Sequence, residues 1–237
     1  MRIYKNLEQA HNETLRNLKE LGIEVHPGSF QDQITIDDPS MSTYELMGES
    51  LCILNASDWP EVCEKHGHKS WVYAEFHERV SPSFENPGDA WKLRDETWAP
   101  FLHTDRHDTE HPTFGYTYNE RIQKSLDHVI ELLIEMPNTR QAMISIWDHN
   151  IDPPRTGGDI RVPCSISYQL LNRGGKLNVI YYLRSSDFFE HWCNDIALAY
   201  NLMEYVCRMI KVPVGMVTVF FGSLHAYKKD VDRLGVF

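Results

Sequence analysis

The spacing of hydrophobic residues along the chain predicts several helices. Leucines recur at helical spacing over residues 5–21, and Gly22 follows the last of them, as is typical where an amphipathic helix ends. The same spacing predicts helices over residues 42–54, 69–79, 120–136 and 196–211. Pro137 ends the helix predicted over 120–136, and Asn194 and Asp195 are the candidate N-caps of the helix predicted over 196–211.

Shorter apolar runs predict strands, which cluster in the C-terminal half. They cover residues 143–147, 164–171, 176–184 and 214–221, with short strands inside 23–36. An Asn-Arg-Gly-Gly turn at 172–175 predicts a hairpin between the second and third strands. Residues 81–119 and 149–162 lack periodicity and are predicted to be loops. This mixture predicts an α+β fold.

Composition narrows the class of protein. No linker-like segment divides the 237 residues, so a single domain spanning 1–237 is expected. A net charge of −11 disfavours nucleic-acid binding. No apolar run approaches the ~20 residues of a membrane helix, and the N-terminus does not look like a signal peptide. We therefore expect a cytoplasmic protein without nucleic-acid or membrane partners. Five scattered cysteines without metal-site spacing predict reduced thiols and no bound metal.

Cys164 is the candidate nucleophile. It follows Pro163 and opens a predicted strand after a loop rich in proline and glycine. A cysteine placed this way is partly exposed, and a neighbouring arginine raises its thiolate fraction. The alternative for a single cysteine is a small core residue.

Several motifs in the same order make the chain resemble the thymidylate synthase superfamily. Those motifs are Pro163-Cys164, Tyr168-Gln169, Gly175-Lys176-Leu177, Arg184-Ser185-Ser186-Asp187, Asn194-Asp195-Ile196-Ala197, Gly222-Ser223-Leu224-His225-Ala226-Tyr227 and, further upstream, Met136-Pro137-Asn138-Thr139-Arg140. The resemblance implies a thymidylate-synthase-like fold, with one central mixed sheet packed by helices and one sheet face forming a dimer interface. It also implies 5,10-methylenetetrahydrofolate as the cofactor and a pyrimidine nucleoside monophosphate as the substrate.

The resemblance assigns the nucleophile and the phosphate site. Cys164 would attack C6 of the pyrimidine, and Arg184 with Ser185 would hold the 5′-phosphate. Arg140 matches a position from which the partner of a homodimer lends an arginine to that phosphate. The adjacent family arginine is Gln141 here, so one charge is missing.

Arg155 and Arg161 are candidates to replace the charge that is missing from the phosphate site. Both lie in the predicted loop that precedes the candidate nucleophile. A single-residue alternative also exists for Arg184, which could form an ordinary salt bridge with Asp187.

The sugar and cofactor positions follow from the same resemblance. His225 and Tyr227 match the pair that hydrogen-bonds the sugar 3′-hydroxyl. Asp187 matches the position that contacts the folate pterin, and Phe114 stands where the family has a tyrosine. The plain alternative for His225 is a satisfied core histidine.

The catalytic glutamate of the family lies in an N-terminal helix. Glu75 is the best match, and Glu78 is the alternative. A solvated helix face would equally explain Glu75.

Asp195 stands where thymidylate synthases place an asparagine. An amide pairs with O4 and N3–H of uracil, whereas a carboxylate only accepts and suits the 4-amino group of cytosine. Asn194-Asp195 also resembles the corresponding pair of the deoxycytidylate hydroxymethylase branch. Asp195 could serve as a helix N-cap as well.

The expected function is conversion of dCMP to 5-hydroxymethyl-dCMP by a one-carbon transferase. The sequence given ends at 235–237, soon after the His-x-Tyr motif, which favours a site open to water and hence a hydroxymethyl product. The alternatives are a methyltransferase making 5-methyl-dCMP or dTMP, and a nucleotide-binding relative without catalytic activity.

Overall fold

The computed structural model describes residues 1–26, 29–30, 33–34, 38–105, 108–152 and 162–237. The strands are β1 (Arg2–Tyr4), β2 (Ile23–Val25), β3 (Ser29–Phe30), β4 (Gln33–Ile34), β5 (Thr43–Ile53), β6 (Leu102–Asp105), β7 (Asp108–Phe114), β8 (Met143–Ser145), β9 (Ser165–Arg173), β10 (Lys176–Asp187) and β11 (Val214–Tyr227). The α-helices are α1 (Leu7–Leu21), α2 (Trp59–His66), α3 (Lys69–Val80), α4 (Asp95–Trp98), α5 (Tyr118–Gln123), α6 (Leu126–Glu135), α7 (Cys193–Ile210) and α8 (Lys228–Leu234). Short 3-10 turns cover Pro39–Met41, Ala90–Arg94 and Ala99–Phe101, and a π-helical turn covers Phe188–Trp192.

One mixed sheet organises the described residues. Its order is β1-β5-β11-β10-β9-β8, and β2 also pairs with β5. β10 and β11 run parallel, as do β1 and β5, while the other neighbours are antiparallel. The predicted α+β fold with a central mixed sheet is confirmed.

The two faces of this sheet differ in how far helices cover them. Alternate residues of β10, such as Tyr181 and Leu183, are buried, and helices α1 and α7 pack against the sheet. The opposite face carries apolar side chains that remain exposed: Met47 is 71% exposed and Phe220 is 38% exposed. Tyr182 stacks on Phe220 with ring centroids 5.3 Å apart. The molecule therefore has one packed sheet face and one open apolar face, named here the open face.

Several predicted elements are confirmed. The helix predicted over 69–79 is α3, and the hairpin predicted around 172–175 joins β9 to β10, with positive φ at Gly174 and Gly175. The strand predicted over 214–221 continues to Tyr227, so it carries the whole His-x-Tyr motif. The predicted loop at 149–162, with Arg155 and Arg161, lies mostly outside the described residues.

The helix predicted over 42–54 is wrong, because these residues form β5. Tyr44, Met47 and Leu51 have helical spacing, but β5 pairs with β1 on one side and β11 on the other, and this pairing overrides local propensity. Gly48 adopts a φ of 63°, which interrupts the two-residue alternation that would have indicated a strand.

The N-cap prediction for the last long helix is also wrong. Helix α7 begins at Cys193, so Asn194 and Asp195 lie inside its first turn. Asp187 does the capping one turn earlier, where its carboxylate accepts hydrogen bonds from the backbone N–H groups of Phe189 and Glu190. The helix predicted over 120–136 is two helices, α5 and α6, and the predicted loop 81–119 contains short helices and a strand pair.

Candidate active site

Cys164 and Arg184 form the centre of the site. Cys164 is half-buried and directly precedes β9. The backbone N–H of Arg184 donates to the Cys164 carbonyl at 2.9 Å, and its Nε donates to the Pro163 carbonyl at 2.9 Å. Its Nη2 lies 3.2 Å from the Val162 oxygen and 3.8 Å from Cys164 Sγ. The guanidinium thus fixes the turn that carries the thiol and stabilises a thiolate at the same sulfur.

A layer of tyrosines lies beneath the nucleophile. The hydroxyl of Ser165 hydrogen-bonds the Tyr181 hydroxyl and donates to the Tyr118 hydroxyl at 3.2 Å. Tyr181 stacks on Tyr168 with centroids 4.2 Å apart. Burial raises the pKa of Tyr168 to about 12, and Asp195 contributes in the same direction. The layer is therefore neutral at pH 7, and it extends from the nucleophile towards Asp195.

The same layer reaches Glu75. Arg79 is buried, lies 3.9 Å over the Tyr118 ring and places its Nη1 3.4 Å from the Tyr168 hydroxyl. Its Nε donates to Glu75 Oε1 at 2.8 Å, one helical turn away along α3. Glu75 Oε2 makes no hydrogen bond within the described residues. Arg79 therefore holds the Glu75 carboxylate in place through Oε1, and Oε2 remains available.

Glu78, the alternative glutamate, has a different task. Its Oε1 accepts hydrogen bonds from the backbone N–H groups of Asp89 and Ala90 at 2.7 and 2.6 Å. A Cβ added at Gly88 would lie 2.6 Å from its carboxylate, so the backbone passes close to it. Burial raises the pKa of Glu78. These contacts hold the 81–94 segment in place, and the geometry favours Glu75 as the reactive glutamate.

A cavity opens in front of Glu75. It is lined by Trp71, Glu75, Glu78, Arg79, Glu85, Pro87, Trp91, Trp98, Phe114, Tyr116, Thr117, Tyr118 and Asn119. Six of these thirteen residues are aromatic, and Phe114 is one of them. The buried Nε1 atoms of Trp71 and Trp91 have no hydrogen-bond partner among the described residues. Aromatic walls with unpaired donors fit a flat heterocycle that carries acceptor atoms.

Asp195 and Asn194 are adjacent in α7 but differ in role. Asp195 Oδ2 accepts a hydrogen bond from the Ser186 hydroxyl at 2.8 Å. Asn194 is 1% exposed, its Oδ1 accepts from the His68 backbone N–H and its Nδ2 donates to the Glu190 carbonyl. Asn194 therefore fastens the start of α3 to α7, and its amide is engaged on both sides, while the Ser186 hydroxyl helps to orient Asp195.

The register of β10 against β11 brings the phosphate and sugar motifs together. Ser185 pairs with Ser223, and Asp187 pairs with His225. Burial, assisted by the charge of Arg184, lowers the pKa of His225 to about 4. A neutral His225 can donate or accept beside the arginine without adding charge.

Tyr227 connects these motifs to the nucleophile. The rings of Tyr227 and His225 pack edge to face, with their centroids 5.3 Å apart. Burial raises the pKa of Tyr227, and the charges of Asp187 and Cys164 act in the same direction. Burial and the charge of Glu190 raise the pKa of Asp187 to about 7. The structure thus brings Cys164, Asp187, His225 and Tyr227 to one place.

Arg140 and Gln141 lie apart from this cluster. Both are exposed, just before the edge strand β8, and the Arg140 carbonyl accepts from Gln169 Nε2 at 3.0 Å. No contact within the described residues joins either side chain to Arg184. Their placement is compatible with a role towards a second chain.

Sequence reasoning missed three residues of the site. Ser186 orients Asp195, Tyr118 joins the serine hydroxyl to Arg79, and Arg94 lies buried beside the cavity wall. Ser186 could have been found from its place inside the Arg-Ser-Ser-Asp motif. Arg94 lies in a stretch without periodicity and gave no signal.

The described residues were also considered for a metal site and for a membrane-spanning helix. Among the described side chains, no group of three or more His, Cys, Asp or Glu is arranged to hold a metal ion. None of the described helices has the length and apolar character needed to cross a bilayer.

Comparison with solved structures defines the fold class. Thermostable thymidylate synthase A from Bacillus subtilis superposes with a TM-score of 0.73 and 15% identity, covering 98% of this chain and 83% of that one. The fold is therefore thymidylate-synthase-like.

The family follows from sequence: a model described as "Thymidylate synthase" matches residues 31–236, so the chain belongs to the thymidylate synthase family. Among curated relatives, a "Putative thymidylate synthase" of Methanosarcina acetivorans is 31% identical over 127 residues, which is 51% of this chain and 57% of that protein. A protein of the same name from Methanothermobacter marburgensis is 34% identical over 121 residues, 48% of this chain and 52% of the relative. The match thus spans a little over half the length of these curated relatives.

Proposed function

We propose that this protein is a folate-dependent one-carbon transferase that acts at C5 of a pyrimidine nucleoside monophosphate and converts dCMP to 5-hydroxymethyl-dCMP. The observation that carries the proposal is the position of Cys164 Sγ, 3.8 Å from the Arg184 guanidinium that also clamps the cysteine's turn. A thiolate beside a fixed cation, together with a base reader and a free carboxylate, is the set of groups that this chemistry requires.

Arg184 serves two tasks in this proposal. Its Nε and Nη2 hold the turn and the sulfur, while its Nη1 makes no hydrogen bond within the described residues and can donate to the 5′-phosphate. Ser185 adds a hydroxyl donor beside it. His225 and Tyr227, on the paired strand, lie where they can contact the sugar hydroxyl.

The chain's own residues perform the covalent steps. Cys164 Sγ forms a bond to C6 of the base, and the electron pair of the C5–C6 double bond moves towards C5, which becomes nucleophilic. Bound methylenetetrahydrofolate supplies the one-carbon unit that C5 receives. The C5 proton leaves as the bond from the new carbon to the folate nitrogen breaks, which leaves an exocyclic methylene on C5. A water oxygen adds to this methylene, and Cys164 departs from C6 as the ring double bond is restored.

The cavity residues fit that cofactor. Trp71, Trp91 and Phe114 offer flat aromatic surfaces, and the unpaired Nε1 atoms of the two tryptophans can donate to ring acceptors. Asp187, matched above to the pterin contact, pairs with His225 across β10 and β11.

Glu75 can assist the hydration step that a hydroxymethyl product requires. Its Oε2 is free of partners among the described residues and belongs to the cavity lining. A carboxylate placed in this way can accept a proton from a water molecule, so that oxygen reaches the new exocyclic carbon. Asp195 supports cytosine, because an ionised carboxylate accepts from a 4-amino group and opposes the O4 of uracil.

Methyl transfer is the second candidate. The relatives from Methanosarcina and Methanothermobacter carry the name thymidylate synthase, which favours a methyl product. Asp195 argues against dUMP as the substrate, so this candidate separates from the first mainly by the product formed.

The open face supports a homodimer. Met47, Tyr182 and Phe220 expose apolar surface on one side of the sheet, and Arg140 lies beside the neighbouring edge strand. A second copy covering this face would bury the apolar patch and could bring Arg140 to the phosphate of the other chain.

Product analysis tests the proposal. dCMP and dUMP are incubated separately with the protein and methylenetetrahydrofolate, and the nucleotides are analysed by mass spectrometry. We expect a hydroxymethyl adduct on dCMP alone, abolished in Cys164→Ser and retained in Cys207→Ser, which alters a buried thiol of α7. A methyl product supports the second candidate, and activity retained by Cys164→Ser contradicts the assignment of the nucleophile.

A further inference from the structure

Arg94 carries an unusual buried charge. Its side chain is 2% exposed, and its guanidinium lies over two aromatic rings, 5.0 Å from the Trp71 centroid and 5.9 Å from the Trp98 centroid. Both tryptophans line the cavity in front of Glu75. Arg94 therefore packs against two of the tryptophans that line the cavity of the candidate site.

Three of the five N–H groups of this guanidinium, one on Nε and two on Nη1, are unpaired among the described residues. Nη2 donates to the Glu190 carbonyl at 3.2 Å and to Glu190 Oε2 at 3.1 Å. Nε and Nη1 are buried and have no partner among the described residues. Buried donors are normally paired, so two unpaired donor nitrogens on one cation indicate an acceptor that the described residues do not supply.

The position of Arg94 links it to Asp195. The Glu190 carbonyl that accepts from Arg94 also accepts from Asn194 Nδ2 at 2.9 Å, so one acceptor joins Arg94 to the residue before Asp195. Burial lowers the pKa of Arg94, and the charges of Glu190, Asp195 and Asp187 oppose this shift and keep the guanidinium cationic. Asp195 and Asp187 thus lie close enough to the guanidinium for their charges to act on it.

Asp195 alone does not match a cytosine. The edge of that base presents the 4-amino donor next to N3, which is an acceptor, and an ionised carboxylate satisfies only the first. A neighbouring N–H donor would complete the match. Uracil presents the reverse order, with the O4 acceptor next to N3–H, and conflicts with both groups.

Resting on the proposed function, we propose that Arg94 is a specificity-determining residue that reads the base together with Asp195. The guanidinium donates to N3 of the cytosine while the Asp195 carboxylate accepts from the 4-amino group. The substrate class is thereby narrowed to nucleotides whose base carries an acceptor beside an amino group.

Binding measured without cofactor tests the inference. The affinities of dCMP, of dUMP and of the 5′-phosphate of the 2-pyrimidinone deoxynucleoside, which keeps N3 but lacks the 4-amino group, are determined by calorimetry. Arg94→Met should weaken dCMP and the pyrimidinone nucleotide by about tenfold or more and reduce the dCMP-to-dUMP ratio similarly. Lys92→Met, two residues away with a side chain 60% exposed, should change neither. Asp195→Asn should weaken dCMP while leaving the pyrimidinone nucleotide nearly unaffected.

The outcomes separate this inference from the proposed function. Thermal melting confirms that each variant is folded, and Arg94→Gln, which keeps polar donors, replaces the methionine variant if that one is unstable. An unchanged ratio in a folded Arg94 variant overturns the role of Arg94, as does an equal loss for dCMP and dUMP. Loss of folate affinity with intact dCMP binding would instead assign the two donors to the cofactor. A wild-type protein that binds neither nucleotide overturns the proposed function, and the role of Arg94 falls with it.

Discussion

Replacing Asp195 by asparagine should invert the preference between cytosine and uracil nucleotides. Ser186 donates to Asp195 Oδ2 at 2.8 Å, and an asparagine oxygen can accept the same bond. Its Nδ2 would then face the base, where it donates to O4 of uracil but opposes the 4-amino group of cytosine. The fold should be little affected, because the orienting hydrogen bond is kept.

The magnitude follows from the hydrogen bonds exchanged. A bond to an ionised carboxylate contributes ~1.5–3 kcal/mol, and a buried polar group left without a partner costs ~1–3 kcal/mol. The variant loses the first with dCMP and removes the second with dUMP, so the preference should change by ~2.5–6 kcal/mol, or about 10²–10⁴-fold in kcat/KM.

Initial rates with both nucleotides at saturating cofactor measure this ratio. Asp232→Asn, the same chemical change at a side chain 61% exposed on α8, is the matched control and should leave the ratio at the wild-type value. If Asp195→Asn melts like the wild type and its ratio stays within about threefold of the wild-type ratio, Asp195 does not read the base.

Two further predictions concern stability and assembly. Burial and the neighbouring His66 lower the pKa of His11 from 6.5 to about 4, so the unfolded chain takes up a proton first as the pH falls. The stability that His11 contributes above pH 6.5 should therefore be lost between pH 6.5 and 4, by up to ~3 kcal/mol. The free energy of unfolding in urea should depend less on pH in His11→Phe than in the wild type. Parallel plots of that free energy against pH for the two proteins would contradict this. Phe220→Glu on the open face should give a monomer in sedimentation at micromolar concentration, whereas Met209→Glu, at an exposed position of α7, should not. A wild type that sediments as a monomer would exclude the proposed dimer.

The fold was predictable where local signals and tertiary context agree. The hairpin between β9 and β10 was found because Gly174 and Gly175 mark its turn, and α7 was found because its apolar positions repeat at helical spacing. The segment that forms β5 was misassigned because its partners, β1 and β11, come from distant parts of the chain. Local periodicity does not contain that information.

The residues of the candidate site were likewise predictable only in part. The motif residues Cys164 and Arg184 could be named from their order in the sequence, and the structure places them 3.8 Å apart at Sγ and Nη2. Arg94 could not be named, because a buried arginine without a patterned neighbourhood resembles any surface arginine. Its significance arises only from the aromatic rings and the Glu190 carbonyl that surround it in three dimensions.

The central position of β11 has a consequence for how the protein is made. In the described sheet, β11 lies between β5 and β10, so it is the strand that joins the N-terminal pair β1-β5 to the β8-β9-β10 unit. During synthesis on the ribosome those two parts emerge long before the strand that connects them. The nascent chain must therefore keep two unpaired strand edges from aggregating until residues 214–227 have left the exit tunnel.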